Sequence, residues 1–253
     1  MSDYPTNLTD KQWQVIKNSI EMMERKRKHS LREMINAILY ITKSGCQGRM
    51  LPKEFGPWQT VYFYFRKWKL EGMFEELMHL LRGLVRKACG KAISPSVGLI
   101  DSRSVRTSHH IDSSEYGIDG GKKVKGRKEH IIVDTLGLPM SVKVHAANIH
   151  DTVFGIVPAI DAFDNYPTIE RFCGDDGYRK TFENDVFEEL GLGVDISKRI
   201  KPEFEVIPKR WVVERTLGWL NGSRRLAKDY EIRTCYSEAM IQVSHLHTLL
   251  KRL

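Results

Sequence analysis

The hydrophobic pattern of this chain changes period at Ser94-Pro95-Ser96, and that change constrains the fold more than any other feature. Before it, apolar residues recur at helical spacing. Thr9-Asp10-Lys11-Gln12 and Ser30-Leu31-Arg32-Glu33 both fit a capping box, in which a hydroxyl and an acid or amide satisfy orphan amides at a helix start. The second opens the apolar series Met34-Ile35-Ala37-Ile38-Leu39-Ile41, which stops before Gly45. Pro57 suits a first helical position. Trp58, Val61, Tyr62, Phe65 and Trp68 then form a core stripe, and a further helix covers 73–89. After the boundary the apolar runs shorten. Residues 97–101, 129–134 and 140–145 read as strands, with the turn Gly137-Leu138-Pro139 between the last two. A helix over 151–163, a strand over 169–175, a helix over 182–190 and a fifth strand over 193–198 follow. Helices over 210–229 and 237–252 finish the chain. Three consecutive strands and then alternating helix and strand predict an α/β class, a mixed sheet flanked by helices, preceded by an all-helical segment. The predicted division is 1–94 and 95–253.

Charge divides the chain at the same place. Residues 1–94 hold 17 Lys and Arg against 9 Asp and Glu, whereas 95–253 hold 23 against 23, so the whole net charge of +8 lies in the first part. That favours an N-terminal grip on a polyanion and a neutral remainder with another task. A basic, aromatic-rich third helix among short helices predicts a helix-turn-helix-like reader of DNA. Its candidate contacts are Gln59, Thr60, Tyr64, Arg66, Lys67 and Lys69. The polar N-terminus lacks a signal peptide's apolar segment and no long apolar run occurs, so a cytoplasmic location is expected. The four cysteines are scattered without a CxxC pair and read as small apolar residues.

Acidic residues carry the chemistry. Asp101 ends the run Val97-Gly98-Leu99-Ile100, and a carboxylate at such a strand end is desolvated unless a cation binds it. Asp175 and Asp176 share a second strand end. Alternation sends their side chains to opposite faces, so only one can join Asp101, and position does not choose between them. Glu214 sits in the helical segment Arg210-Trp211-Val212-Val213-Glu214-Arg215-Thr216, whose apolar neighbours predict a buried helix and a Glu that needs a partner. Two strand-end carboxylates and a helical Glu can converge on a pair of divalent metals that activate water or a hydroxyl against a phosphodiester. The run Lys122-Lys123-Val124-Lys125-Gly126-Arg127-Lys128 leads into the strand beside that site and is expected to touch the DNA backbone, with Arg224 and Arg225 extending the track. His109, His110, His145 and His150 have no matching ligand set and read as hydrogen-bonded or exposed.

Taken in order, several segments resemble one family. They include Leu8-Thr9-Asp10-Lys11-Gln12-Trp13, Pro57-Trp58-Gln59-Thr60-Val61-Tyr62 and Ile100-Asp101-Ser102. Val133-Asp134-Thr135-Leu136-Gly137, His145-Ala146-Ala147-Asn148, Asp175-Asp176-Gly177-Tyr178 and Trp211-Val212-Val213-Glu214-Arg215-Thr216 continue the series. Across nearly its whole length the chain resembles the DDE transposases of bacterial insertion sequences, specifically the IS5 group. The resemblance implies an RNase H-like catalytic domain behind a helical, helix-turn-helix-like DNA-binding domain. It implies Asp101, Asp175 and Glu214 as catalytic metal ligands, choosing Asp175 over Asp176, with Arg210 as the associated basic residue. Ile207 stands where the family often has tyrosine, and Asn221 lies near where it often has a basic residue.

The activity implied is metal-dependent cleavage at insertion-sequence ends and strand transfer into target DNA. Two Mg²⁺ ions about 3.5–4 Å apart would serve it, with Mn²⁺ able to substitute. The implied partners are double-stranded DNA, as terminal inverted repeats and target, and a second copy of the chain on that DNA. The alternatives are an RNase H-like nuclease that cuts without joining, and a DNA-binding regulator with an inactive catalytic domain.

Overall fold

The structure, a computed structural model, describes residues 4–20, 28–197 and 208–253, the last without the side chains of 208–210. Among the described residues four helices come first: α1 (Asp10–Ile20), α2 (Leu31–Ser44), α3 (Trp58–Leu70) and α4 (Met73–Ala88). Both anticipated capping boxes form. Ser30 and Glu33 exchange side-chain and backbone bonds at the start of α2, and Thr9 and Gln12 do so before α1. Pro57 sits one residue before α3, at its N-cap, rather than inside it.

Six strands among the described residues then form one sheet: β1 (Val97–Arg106), β2 (Gly117–Asp119), β3 (Val124–Val133), β4 (Pro139–Ala146), β5 (Arg171–Gly174) and β6 (Gly193–Ile196). β1 is central. It runs antiparallel to β3 from Leu99↔Val133 to Arg106↔Gly126 and parallel to β5 from Val97↔Arg171 to Leu99↔Cys173. β4 and the short β2 share the far edge of β3, and β6 extends the sheet parallel to β5. An antiparallel meander joined to a parallel pair, covered by helices, fits an RNase H-like fold.

Helices α5 (Asp151–Phe154), α6 (Ile156–Asn165), α7 (Thr181–Leu190), α8 (Pro208–Leu220) and α9 (Thr234–Leu250) cover the sheet. On one face Ile100, Ile132, Met140 and Phe172 pack against Ala159 and Ala162 of α6 and Phe182 and Val186 of α7. On the other, Leu99, Ile131, Val133, Val142 and Cys173 join a core that runs through α8 and α9 into α1–α4. The two predicted segments therefore share one apolar core. Burial of this continuous layer is the main favourable term holding them together.

Several predicted boundaries differ. The expected strand 97–101 continues to Arg106, because Ser102–Arg106 pair with β3 although their sequence is too polar to read as a run. The expected helix 151–163 breaks at Gly155, where an added Cβ would meet the Phe182 ring at 2.9 Å. The expected helix 210–229 stops at Leu220, and Arg224 and Arg225 lie in a separate 3-10 turn.

Candidate active site

Asp101 and Asp175 reach one small cavity, lined also by Leu99, Cys173, Ser197 and Val213. Alternation explains why. Leu99 and Asp101 point to the same face of β1, and Cys173 and Asp175 continue that face along β5, so both carboxylates emerge on the side covered by α8. Asp101 lies within its strand rather than at its end. The site forms there because β5 stops at Gly174 and leaves the edge of β1 uncovered.

Asp175 and Asp176 are separated by what they touch. Asp175 accepts the Gly177 amide at 2.9 Å and caps the turn Asp176–Tyr178, while the exposed Asp176 pairs with Arg179 at 2.6 Å. Asp101 is partly buried and accepts the Ser102 amide at 2.7 Å. Burial pushes its carboxyl up to about 7. The Ser102 amide and the Lys122 charge pull it back, and the Asp175 and Glu214 carboxylates add to the rise.

Glu214 is exposed, which corrects the buried helix expected around it. α8 is amphipathic: Val213, Thr216, Leu217 and Leu220 face the core, and Glu214 is turned aside from them. Its charge acts on Asp101, but among the described residues no three His, Cys, Asp or Glu side chains are placed to hold one ion together. The donor chemistry fits a hard divalent cation all the same, since the converging groups are carboxylate oxygens whose mutual repulsion a cation would relieve. Arg210 lies in α8 with its side chain outside the described residues. Ile207 lies outside them altogether. Asn221 accepts a bond from Arg103 Nη1 of β1 at 3.0 Å.

The basic run divides in two. Lys122, Lys123 and Lys125 are exposed, and Lys122 Nζ donates to the Ser102 carbonyl at 3.2 Å. Arg127 and Lys128 are interior residues of β3, which corrects the expectation that they face DNA. Arg127 is enclosed by Asp229 at 2.9 Å and by Glu115 and the carbonyls of Glu231 and Ile232. Lys128 reaches Asp151 at 3.0 Å. A buried cation needs such partners, so these two side chains are committed to the fold.

On α3, Gln59, Arg66 and Lys67 are exposed, while Thr60, Tyr64 and Lys69 are partly covered. Tyr64 packs on Trp68 with ring centroids 5.2 Å apart, and Lys69 pairs with Glu75. Tyr62, placed in the core by its spacing, is 54% exposed, and Phe63 beside it is also exposed. Arg224 is exposed, whereas Arg225 pairs with Glu231 at 2.6 Å. His145 stacks on Phe154 at 3.7 Å and bonds the Ala146 carbonyl, a packed histidine as expected. No helix among the described residues is long and apolar enough to cross a membrane.

Residues 8–78 match the family model of a putative transposase of the IS4/5 family, and residues 93–234 match that of a transposase DDE domain. A putative transposase for insertion sequence element IS402 from Burkholderia cepacia is 32% identical over 130 residues, which are 47% of this chain and 60% of that protein. The match thus spans about three fifths of that relative's length. Two crystal structures of the Mos1 mariner paired end complex, with Mn and with Mg, align at 10% identity. They cover 96% and 95% of this chain and 84% and 83% of theirs, with TM-scores of 0.26 and 0.28, values too low to bear on fold or chemistry. The DDE-domain match runs through more than half of the residues and includes both converging aspartates and Glu214, and the chain therefore belongs to the transposase DDE domain family, with an N-terminal segment of the IS4/5 type.

Proposed function

We propose that this chain is a transposase of the IS5 group that cleaves DNA at the ends of an insertion sequence and transfers the freed strand into target DNA. The convergence of Asp101 and Asp175 on one cavity, within a DDE-domain chain, carries the reading. These two carboxylates would hold a divalent cation, Mg²⁺ or Mn²⁺, with Glu214 as third ligand. That cation would supply Lewis-acid activation of the attacking hydroxyl and neutralise charge on the phosphate.

The protein's own part is to position and to compensate charge. Lys122, Lys123 and Lys125 would receive the DNA backbone beside the site, and Arg210 would offset phosphate charge as it develops. Gln59, Arg66 and Lys67 on the open face of α3 would meet the end sequence, with Arg224 contributing a phosphate contact. End recognition would fall to 1–94, and chemistry with its backbone contacts to 95–253. A synapse of two ends would need at least two copies of the chain.

The test is strand transfer. The full chain, a duplex bearing the inverted repeat that flanks the coding DNA, and a pre-cut 3′-hydroxyl end should give joined products with Mg²⁺. Cutting without joining would leave a nuclease. Neither reaction, with DNA still bound, would leave a regulator.

A further inference from the structure

The hydrogen-bond ladder does not by itself fix the distance between Asp101 and Asp175. β1 and β5 pair only as far as Leu99↔Cys173, so both acids lie beyond the last rung. Something else must tie the two segments together, and α5 does so from behind the sheet. Its first residue, Asp151, accepts the Ser102 hydroxyl at 2.9 Å, lies 3.0 Å from Lys128 Nζ and 3.3 Å from His130 Nε2. Ser102 follows Asp101 directly and binds its carboxylate through the backbone amide. The next residue, Thr152, donates its hydroxyl to the Arg179 carbonyl at 2.8 Å and accepts the Phe182 amide at 3.0 Å. Arg179 closes the turn that Asp175 caps. The fully buried Tyr178, in the same turn, lies 3.4 Å from His130 Nδ1 and packs edge-on against Phe182. Adjacent side chains of one short helix therefore each hold one of the two acid-bearing segments.

We propose that Asp151 and Thr152 are positioning residues that set the spacing of Asp101 and Asp175, and through it the affinity of the site for a divalent cation. This rests on the reading of those two aspartates as metal ligands. Partners of ligands commonly fix ligand orientation, and removing one costs about 10–100-fold in metal affinity.

The test is Mn²⁺ binding to the full chain without DNA, followed by the EPR signal of the free ion, with folding checked by circular dichroism. Asp151→Asn and Thr152→Val should each weaken binding by about tenfold or more, whereas Thr152→Ser should stay within about twofold of wild type. Asp161→Asn is the matched control. Asp161 likewise takes a serine hydroxyl and a lysine, Ser141 and Lys143, but both lie on β4 and not on the segments that carry the acids. It should leave Mn²⁺ affinity unchanged. If Asp151→Asn weakens the hold on Lys128 and fails to fold, Thr152→Val decides. Wild-type affinity in the folded variants, or equal weakening by Asp161→Asn, would overturn the positioning role alone. A wild-type chain that bound no Mn²⁺ would overturn the metal site and the positioning role together.

Discussion

Asp101 is held where its charged form is disfavoured. Its carboxyl is raised to about 7, by burial first and then by neighbouring carboxylates. Between about pH 4 and pH 7 the folded chain therefore binds more protons at this residue than the unfolded chain, and stability falls as pH rises through that window. Metal-free Asp101→Asn should accordingly gain on the order of 1–3 kcal/mol near pH 8 and almost nothing near pH 4. Urea unfolding at both pH values measures it, and an equal gain at both would remove the buried charge as the cause. Asp101 is conspicuous because it follows an apolar run, whereas position alone leaves Asp175 and Asp176 equal and the choice of Asp175 comes from the family resemblance. The exposure of Glu214 was not, since Trp211 and Val212 beside it look like core yet are exposed and partly exposed. Arg127 and Lys128 were misplaced for a related reason. A charge run reads as solvated unless its partners are visible, and Asp229 lies 102 positions from Arg127. Arg127→Met would strand Asp229 in the interior and should cost about 3–5 kcal/mol, readable in the same unfolding experiment.

Among elements, the turn between β2 and β3 shows how local structure assigns charges to tasks. Asp119 anchors it, accepting the Gly121 and Lys122 amides at 2.9 and 3.0 Å and the Ser104 hydroxyl. This leaves Lys122, Lys123 and Lys125 outside and draws the chain inward at Gly126, where an added Cβ would collide with the Val105 carbonyl. Neutralising the three exposed lysines should flatten the salt dependence of DNA binding by about one unit of slope for each phosphate left without its lysine, and should not change the preference among end sequences. A filter-binding series over salt checks this. A changed sequence preference with an unchanged slope would mean that the turn reads bases. Element types were legible from hydrophobic period almost throughout. Ends were not, and the three-residue β2 was missed altogether, because it and the polar half of β1 are strand only through the partners they meet.

In the whole molecule, the change of texture at Ser94-Pro95-Ser96 marks a change of architecture but not a gap in the core. α2 and α4 pack on α9, and Arg86 of α4 forms a buried ion pair with Asp134 at 2.5 Å. Asp134 also accepts the Leu136 and Leu138 amides that close the β3–β4 turn. A fragment of residues 1–94 would expose the apolar face that α9 covers, so it should lack a cooperative thermal transition by circular dichroism, and end binding should be measured on the full chain. A cooperative melt of that fragment would show that the helical segment folds alone. The shared core was not legible, because α9 lies more than a hundred residues from the helices it covers. The most direct measurement is Mg²⁺-dependent cleavage of a duplex carrying the element's end, by wild type, Asp101→Asn and Asp175→Asn. Cleavage by wild type, a drop of about a hundredfold or more in each variant and unchanged DNA binding are the predicted result; a wild-type rate in either variant would contradict the assignment of that aspartate to the catalytic site.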